Sequence, residues 1–245
     1  MLFKTQNLLK LSRRGVKISL RYLTEIIIIF IGITISFAFE QWREDQRKHD
    51  ALIGITESLL GDTRAARKEL QQDQPVSAIW ISGIDSVRIL APQKKLSTNQ
   101  LQWFYRVITG QYTFLFEAYS STFKSISATS QWTELPDTIR TKIYRVFNNK
   151  LLYGSLLYNQ QQENITHFRL SMLEKGAMPL PLTDGINLTP DTSVLEDLLT
   201  QDHWQNMITQ VLITEKMCYQ QNEATIRFME ELEKDLEQYL KILRN

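Results

Sequence analysis

The residue types that most often carry catalysis or bind metals are few and widely spaced in this chain. The histidines are His49, His167 and His203, and the single cysteine is Cys218. Zinc sites usually need two histidines four residues apart on one helix, or paired cysteines, and neither pattern occurs. The sequence also lacks the glycine-rich phosphate-binding motifs and the nucleophile motif of hydrolases. We therefore predict no metal, no cofactor, no catalytic residue and a protein that is not an enzyme.

Three other features each have a chemical and a structural interpretation. Cys218 is a candidate nucleophile, but it falls on an apolar helical stripe, which favours a core residue. One acidic group is predicted to form a solvated helix face: Glu230, Glu231, Glu233 and Asp235. An aromatic run is predicted to be core, although part of it could line a ligand groove: Trp103, Phe104, Tyr105, Tyr112, Phe114, Phe116 and Tyr119.

Composition limits the classes of protein to which the chain can belong. Among its 245 residues, 28 lysines and arginines balance 27 acidic residues, whereas a dedicated nucleic-acid binder would be more basic. Nine glycines and six prolines are few for this length, which favours long helices. A lone cysteine excludes an internal disulfide. We expect a mainly all-α protein that does not bind nucleic acid.

The N-terminal region has the charge pattern of a membrane anchor. Six cations precede the first acidic residue, Glu25: Lys4, Lys10, Arg13, Arg14, Lys17 and Arg21. The uncharged stretch Ile26–Phe39 follows, and counted from Leu20 the apolar segment would span about 30 Å as a helix. We predict a basic cytoplasmic tail over 1–21, a transmembrane helix over 22–42 and an extracytoplasmic helical domain over 43–245.

Two other origins of this apolar segment are less consistent with its flanks. A buried helix of a soluble protein would rarely follow six cations, and the sequence after Ile35 offers no small-residue cleavage site for a signal peptide. Positive charge before the span predicts a cytoplasmic N-terminus. We therefore expect a single-pass membrane protein whose main domain lies outside the cytoplasm; in a Gram-negative bacterium this is an inner-membrane protein with its main domain in the periplasm.

One face of the predicted span could pack against another helix in the membrane. Glu25, Gly32 and Ser36 fall near this face at helical spacing, and Gly32 and Ser36 form a small-x-x-x-small pair that permits close helix approach. Glu25 would seek a partner if it were buried in the bilayer. Alternatively, Glu25 lies at the headgroup level and pairs with Arg21, one turn away.

The remaining segments are predicted from periodicity and breakers. An apolar stripe runs along Leu52, Ile55, Leu59, Ala66 and Leu70, and Pro75 is predicted to end that helix. Further helices are predicted over 76–90, 98–109 and 136–174, and a loop over 176–190. Residues 114–126 could be helix or strand, and the fold of 111–130 is left open.

The C-terminal segment has the most regular pattern of the chain. Its seam positions are spaced alternately by four and three residues: Trp204, Ile208, Val211, Glu215, Cys218, Asn222, Thr225, Met229, Leu232, Leu236, Tyr239 and Leu243. Such a heptad seam is typical of a coiled coil, and a homodimer would bury it. The seam could equally pack on the stripe of Leu52–Leu70 in an antiparallel bundle. We favour the bundle because the apolar stripe of the membrane-proximal helix must also be buried.

Several segments together resemble a bacterial family of single-span membrane proteins, domain of unknown function 6090. The similar segments are Thr24–Ile27, Ile31–Ile33, Trp42–Glu44, Leu59–Asp62, Ser121–Thr129 and Ile139–Tyr144. Thr24 and Arg43 stand where the family has glycine and asparagine, and Ala128–Thr129 replaces a Ser-Gly pair. The resemblance covers about the first 150 residues. It implies a membrane-anchored protein and supplies no catalytic residues.

Three functions fit these expectations. The first is a non-enzymatic envelope protein whose helical domain binds a partner protein or a ligand. The second is an accessory single-span subunit of a transport or secretion complex, and the third is an enzyme with an unrecognised site in the aromatic middle section. The expected partners are the lipid bilayer and a protein in or at the membrane, with a homodimer also open.

Overall fold

The computed structural model describes the backbone of residues 3–108, 121–177 and 192–245, and within these ranges the side chains from residue 25 onward except that of residue 121. Every regular element in these ranges is helical, which confirms the predicted all-α class. The helices are α1 Phe3–Leu90, α2 Thr98–Ile108, α3 Ser121–Ser127, α4 Gln131–Glu134, α5 Asp137–Tyr144, α6 Leu151–Glu174, α7 Thr192–Leu199 and α8 Asp202–Arg244. A 3₁₀ turn, Ala91–Gln93, follows α1, and a π-helical turn, Arg145–Lys150, joins α5 to α6.

The chain divides into two compact units, residues 1–53 and residues 54–245. The described residues of the first unit, from Phe3 onward, all belong to α1, and its side chains from Glu25 to Asp50 are all exposed. The second unit contains the rest of α1 and all the other helices, and it has a core of its own.

Helix α1 continues through Pro75, so the prediction that Pro75 ends this helix is wrong. A proline inside a helix removes one hydrogen bond and crowds the carbonyl four residues earlier, here that of Gln71. Both Gln71 and Pro75 are exposed, so water can reach this part of the backbone. Buried residues on either side, Leu70 and Trp80, keep both halves of the helix packed, and their burial outweighs the local cost.

In the second unit, α8 runs antiparallel to α1. Along the contact, the residue numbers of the paired side chains increase on α1 and decrease on α8. The pairs are Glu57 with Arg244, Arg64 with Glu237, Arg67 with Glu233, and Ser77 with Glu215. This order confirms the predicted packing of this part of α1 on the C-terminal helix.

Helix α8 is also antiparallel to the segment formed by α5, the π-helical turn and α6. Lys142 pairs with Asp235, Gln221 Nε2 donates to the carbonyl of Lys150 at 2.9 Å, and Asn164 Nδ2 donates to Thr214 Oγ1 at 3.0 Å. The predicted helical stretch from Pro136 to Glu174 is therefore present, with Pro136 as the residue before α5. Because α8 contacts both α1 and α6, it is the central helix of this unit.

The heptad seam of α8 is buried against helices of the same chain. Nine of its twelve predicted positions are buried, and Asn222, Tyr239 and Leu243 are partly exposed. At the N-terminal end of α8, the Trp204 ring lies 5.3 Å from that of Phe168, which in turn lies 5.6 Å from that of Phe104. These edge-to-face contacts join α8, α6 and α2 in one core.

Two predicted segments fall partly outside the described residues. Gly176 adopts the left-handed backbone conformation, with φ of 69°, and ends α6 with a turn, whereas residues 178–190 of the predicted loop are outside the described ranges. Of the ambiguous segment 114–126, only residues 121–126 are described, and they are helical.

Candidate functional site

The most unusual surface of the described chain is the uncharged part of α1 between Ile26 and Phe39. Its large apolar side chains are each 47–70% exposed, whereas isolated exposed apolar residues are the rule on soluble domains. Among the described helices, α1 alone is long and apolar enough to cross a membrane, with a window of mean hydropathy 1.6 in which no residue is buried. The coarse prediction of a candidate membrane helix is thus supported.

The same segment carries a shallow groove of about 500 Å³, lined by Ile29, Gly32, Ile33, Ser36, Phe37 and Glu40. A Cβ added to Gly32 would meet no atom within 4 Å, so the helix surface is open there. Ser36 Oγ donates to the carbonyl of Gly32 at 2.9 Å, which satisfies the hydroxyl within the helix. The groove can therefore accept an apolar neighbour without leaving the Ser36 hydroxyl unpaired.

The predicted packing residues do not all line this groove. Gly32 and Ser36 do, and Glu40, one turn beyond Ser36, forms its end and accepts a hydrogen bond from Arg43 at 2.9 Å. Glu25 is exposed and is not among the lining residues. Its expected pairing with Arg21 concerns a side chain outside those described.

A second chemically distinctive place is a buried polar cluster between α1, α6 and α8. Glu215 accepts hydrogen bonds from Ser77 Oγ and, at 3.0 Å, from Gln161 Nε2. Gln161 Nε2 also donates to the carbonyl of Val211 at 3.2 Å. Gln161 Oε1 is buried and has no hydrogen-bond partner among the described residues.

The electrostatics of this cluster follow from burial. Burial raises the pKa of the Glu215 carboxyl, and the hydrogen bonds from Ser77 and Gln161 only partly oppose that shift. The partners of Glu215 in the described helices are neutral, so its charge has no direct counter-ion there. Because Ser77, Gln161 and Glu215 are each less than a tenth exposed, the cluster aligns three helices and offers no access to a substrate.

Cys218 lies one turn beyond Glu215 on the same seam. It is 5% exposed, and burial together with the nearby Glu215 carboxylate raises its pKa to about 12. A reactive cysteine needs a lowered pKa and access to its reagent. Cys218 therefore lies in the core, as its seam position predicts.

The predicted solvated acidic face is wrong for Glu233. Glu233 is 8% exposed, and Arg67 Nε donates to its carboxylate at 2.5 Å while Arg67 Nη2 donates at 3.1 Å. Glu230 and Asp235 are partly exposed and lie near Arg67 and Lys142, and Glu231 alone of the four is fully on the surface. Two arginines on α1, Arg64 and Arg67, account for the difference because they face α8.

The remaining candidate residues do not come together. His49, His167 and His203 are all exposed, and no group of three metal-ligating side chains occurs within the described part of the chain. Of the aromatic run, Phe104 and Tyr105 are buried and Trp103 is half-buried. Tyr112, Phe114, Phe116 and Tyr119 lie outside the described residues.

The buried cluster contains residues that the sequence analysis did not single out. Gln161 shares a spacing of four, three and four residues with Ile165, Phe168 and Met172, all of them buried. This stripe would have predicted that Gln161 faces the core. Ser77 likewise precedes Trp80 and Ile84 on the buried face of α1.

Comparisons of this chain with protein-family models, with curated proteins and with solved structures find no match.

Proposed function

We propose that the chain is a non-enzymatic, single-pass protein of a bacterial inner membrane that binds a partner protein or a ligand through its helical domain. The observation that carries this proposal is the apolar surface of α1 from Ile26 to Phe39. Contact with water costs about 25 cal/mol for each Å² of such surface, and a bilayer removes this cost. The resemblance to family 6090 agrees with the proposal.

The proposed orientation follows from charge. The six cations before Glu25 favour a cytoplasmic N-terminus, and residues 43–245 would then lie in the periplasm. A reporter enzyme that is active only in the periplasm, fused after Asn245, should be active in this arrangement. Activity of a cytoplasm-only reporter at the same site would refute the orientation.

Anchoring can be tested separately from orientation. Replacement of Ile31 by Asp puts a charge in the middle of the apolar run, which costs about 2.5–3.5 kcal/mol of insertion free energy. Ile31→Asp should move protein from the alkali-resistant membrane fraction to the soluble or degraded fraction. The matched change Gln41→Asp, beyond Phe39, should leave the protein in the membrane, and equal loss for both variants would contradict a membrane span at this position.

A second candidate function is an accessory subunit held against a multi-span membrane protein. The groove around Gly32 and Ser36 favours it, because small residues let two membrane helices approach closely. Replacement of Gly32 by Leu should fill the groove and reduce the amount of partner that co-purifies in mild detergent. Thr34→Leu also introduces a leucine, but on the opposite face of the helix, so its recovery of partner should match that of the parent protein.

A further inference from the structure

The buried cluster of Ser77, Gln161 and Glu215 has used all of its side-chain hydrogen-bond donors. Ser77 donates its single hydroxyl proton to one oxygen of Glu215. Gln161 Nε2 has two protons, and it donates to the other oxygen of Glu215 at 3.0 Å and to the carbonyl of Val211 at 3.2 Å. A carboxylate has no proton to give, so these three side chains contain no spare donor.

The acceptors of the same cluster are not used completely. A carboxylate offers about four lone-pair sites, and Glu215 receives hydrogen bonds only from Ser77 and Gln161 among the described side chains. Gln161 Oε1 is buried and receives none there, although the whole side chain of Gln161 is only 2% exposed. A buried acceptor without a donor is costly, and in native proteins a water or an ion usually satisfies it.

The charge of the cluster is not balanced either. Glu215 is 6% exposed, and both of its hydrogen-bond partners in the described helices are neutral. Cys218, one turn away, brings no positive charge. Removing a carboxylate from water without a counter-ion costs free energy, and one positive charge beside it offsets that cost. The cluster therefore lacks a species that is positive and binds oxygen.

The two incompletely used groups are close enough to share one ion. The nitrogen and oxygen of an amide are about 2.2 Å apart, so Gln161 Oε1 lies within about 5.2 Å of the Glu215 oxygen that Nε2 contacts. Oxygen ligands lie about 2.3–2.6 Å from a cation such as Ca²⁺, so an ion of that size spans oxygens about 5 Å apart. The two hydrogen bonds of Nε2 hold the amide of Gln161 in place for such a contact.

The ligand chemistry favours a monovalent ion. One carboxylate balances one positive charge, whereas sites for Ca²⁺ usually combine several carboxylates with other oxygens. Zinc prefers sulfur and nitrogen, and the Cys218 thiol, with a pKa of about 12, keeps its proton. The burial of all three side chains excludes an organic ligand by size. A bare ion can still enter when the helices open locally.

We propose that Glu215 and Gln161 bind a monovalent metal cation, Na⁺ or K⁺, where α1, α6 and α8 meet. The carboxylate of Glu215 neutralises the ion, and Gln161 Oε1 is the second protein ligand. Ser77 keeps its hydrogen bond to the carboxylate and so connects α1 to the site. This inference goes beyond the proposed function, because it concerns the second unit and requires neither the membrane anchor nor a partner protein.

Thermal unfolding of the full-length protein in detergent tests the site. At about pH 8 few protons compete with a metal ion for the carboxylate. The melting temperature should be at least about 2 °C higher in sodium or potassium chloride than in choline chloride of equal concentration, because choline is too large to enter. The difference should grow with the concentration of the metal ion at constant ionic strength.

Two variants of α8 locate the ion. Glu215→Gln removes the charge but nearly keeps the shape, so the difference between metal chloride and choline chloride should disappear. Glu231→Gln makes the same change in net charge at an exposed position and should keep the difference. If Glu215→Gln does not fold, Gln161→Met replaces it. This change removes Oε1 and leaves the carboxylate, and the difference should shrink.

Each other outcome overturns the inference. Equal melting temperatures in the three chlorides would show that a proton or a water satisfies the cluster. A difference that survives Glu215→Gln, or that Glu231→Gln also abolishes, would show that the ion acts elsewhere. A larger rise with calcium chloride at the same ionic strength would indicate a divalent site. Failure of the reporter and anchoring tests would refute the proposed function and leave this inference standing.

Discussion

Gly83 of α1 faces the indole of Trp103 in α2 at a distance that only a glycine allows. A Cβ on Gly83 would lie 2.1 Å from Cη2 and 2.5 Å from Cζ3 of Trp103, far inside van der Waals contact. The indole is rigid and packs against the core of the second unit, so it has little freedom to move aside. The absence of a side chain at residue 83 therefore sets how closely α1 and α2 approach.

Gly83→Ala should lower the free energy of unfolding, even though alanine is the better helix former. Overpacking of a filled site costs about 1–3 kcal/mol. Guanidinium unfolding of the detergent-solubilised protein measures this change. Gly61→Ala is the matched control in the same helix, because its added Cβ meets no atom within 4 Å, and it should raise stability by about 0.5–1 kcal/mol. Equal destabilisation by both variants would contradict the contact with Trp103.

Glu233→Ala should destabilise the second unit, because it leaves Arg67 without its bidentate partner between α1 and α8. The side chain of Glu233 is 11% exposed and that of Arg67 is 28% exposed, so water can replace only part of the lost interaction. We expect a loss of about 1–3 kcal/mol in the free energy of unfolding. Glu231→Ala, at an exposed position on the same helix, should change stability by less than about 0.5 kcal/mol. An unchanged free energy of unfolding for Glu233→Ala would instead support the prediction that Glu233 belongs to the solvated face.

Leu232→Asp should be among the most damaging single changes in the second unit. Leu232 is fully buried, and an unpaired charge there costs on the order of 3 kcal/mol or more. The exposed position Lys234, changed to Asp, should have little effect. Because helices of the same chain bury the seam, the melting temperature of the parent protein should not depend on its concentration. A melting temperature that rises with concentration would indicate a dimeric seam instead.

The ionisation of Glu215 should make stability fall as pH rises. Burial holds the pKa of this carboxyl above its ordinary value of 4.5. The folded state therefore binds the proton more tightly than the unfolded state does, and the resulting stability is complete below pH 4.5. It is lost as pH rises from there through the higher pKa of the folded protein.

Glu215→Gln removes this contribution, and the difference in unfolding free energy between parent and variant, measured from pH 4 to pH 8, isolates it. The parent should lose stability relative to the variant as pH rises. Ser77→Ala removes a hydrogen bond that lowers the pKa of Glu215, so it should extend the loss to higher pH. A difference curve that is flat, or that slopes the other way, would contradict a raised pKa.

Periodicity in the sequence predicted most of the helices and the buried face of α8. The seam residues Ile208, Met229 and Leu236 are all completely buried. Residues spaced alternately by four and three lie along one face of a helix, and an apolar face of this kind packs against the core. Periodicity did not predict the continuation of α1 beyond Pro75. The cost of a proline is local, whereas the packing that offsets it comes from residues far along the chain.

The candidate site was predicted less completely, for a related reason. Gly32 and Ser36 line one groove on α1, and their proximity follows from spacing alone, since both lie within one helix. The partners of Glu215 and Glu233 could not, because Ser77 and Arg67 are more than a hundred residues away in sequence. A local pattern assigns charged residues to the surface by default, and only tertiary contacts show which of them are paired inside.

The position of α8 in the chain affects how the second unit is made. Its central helix is the last of the described helices to leave the ribosome, and its ion pairs reach back 166 residues from Glu233 to Arg67 and 187 residues from Arg244 to Glu57. Until residues 202–244 have been synthesised, the apolar stripes of α1 and α6 have no final partner, although α1 emerged first. Folding of this unit must therefore follow translation of its last helix, and contacts of such long sequence separation slow it. During that interval the exposed stripes are the surfaces that a chaperone would bind.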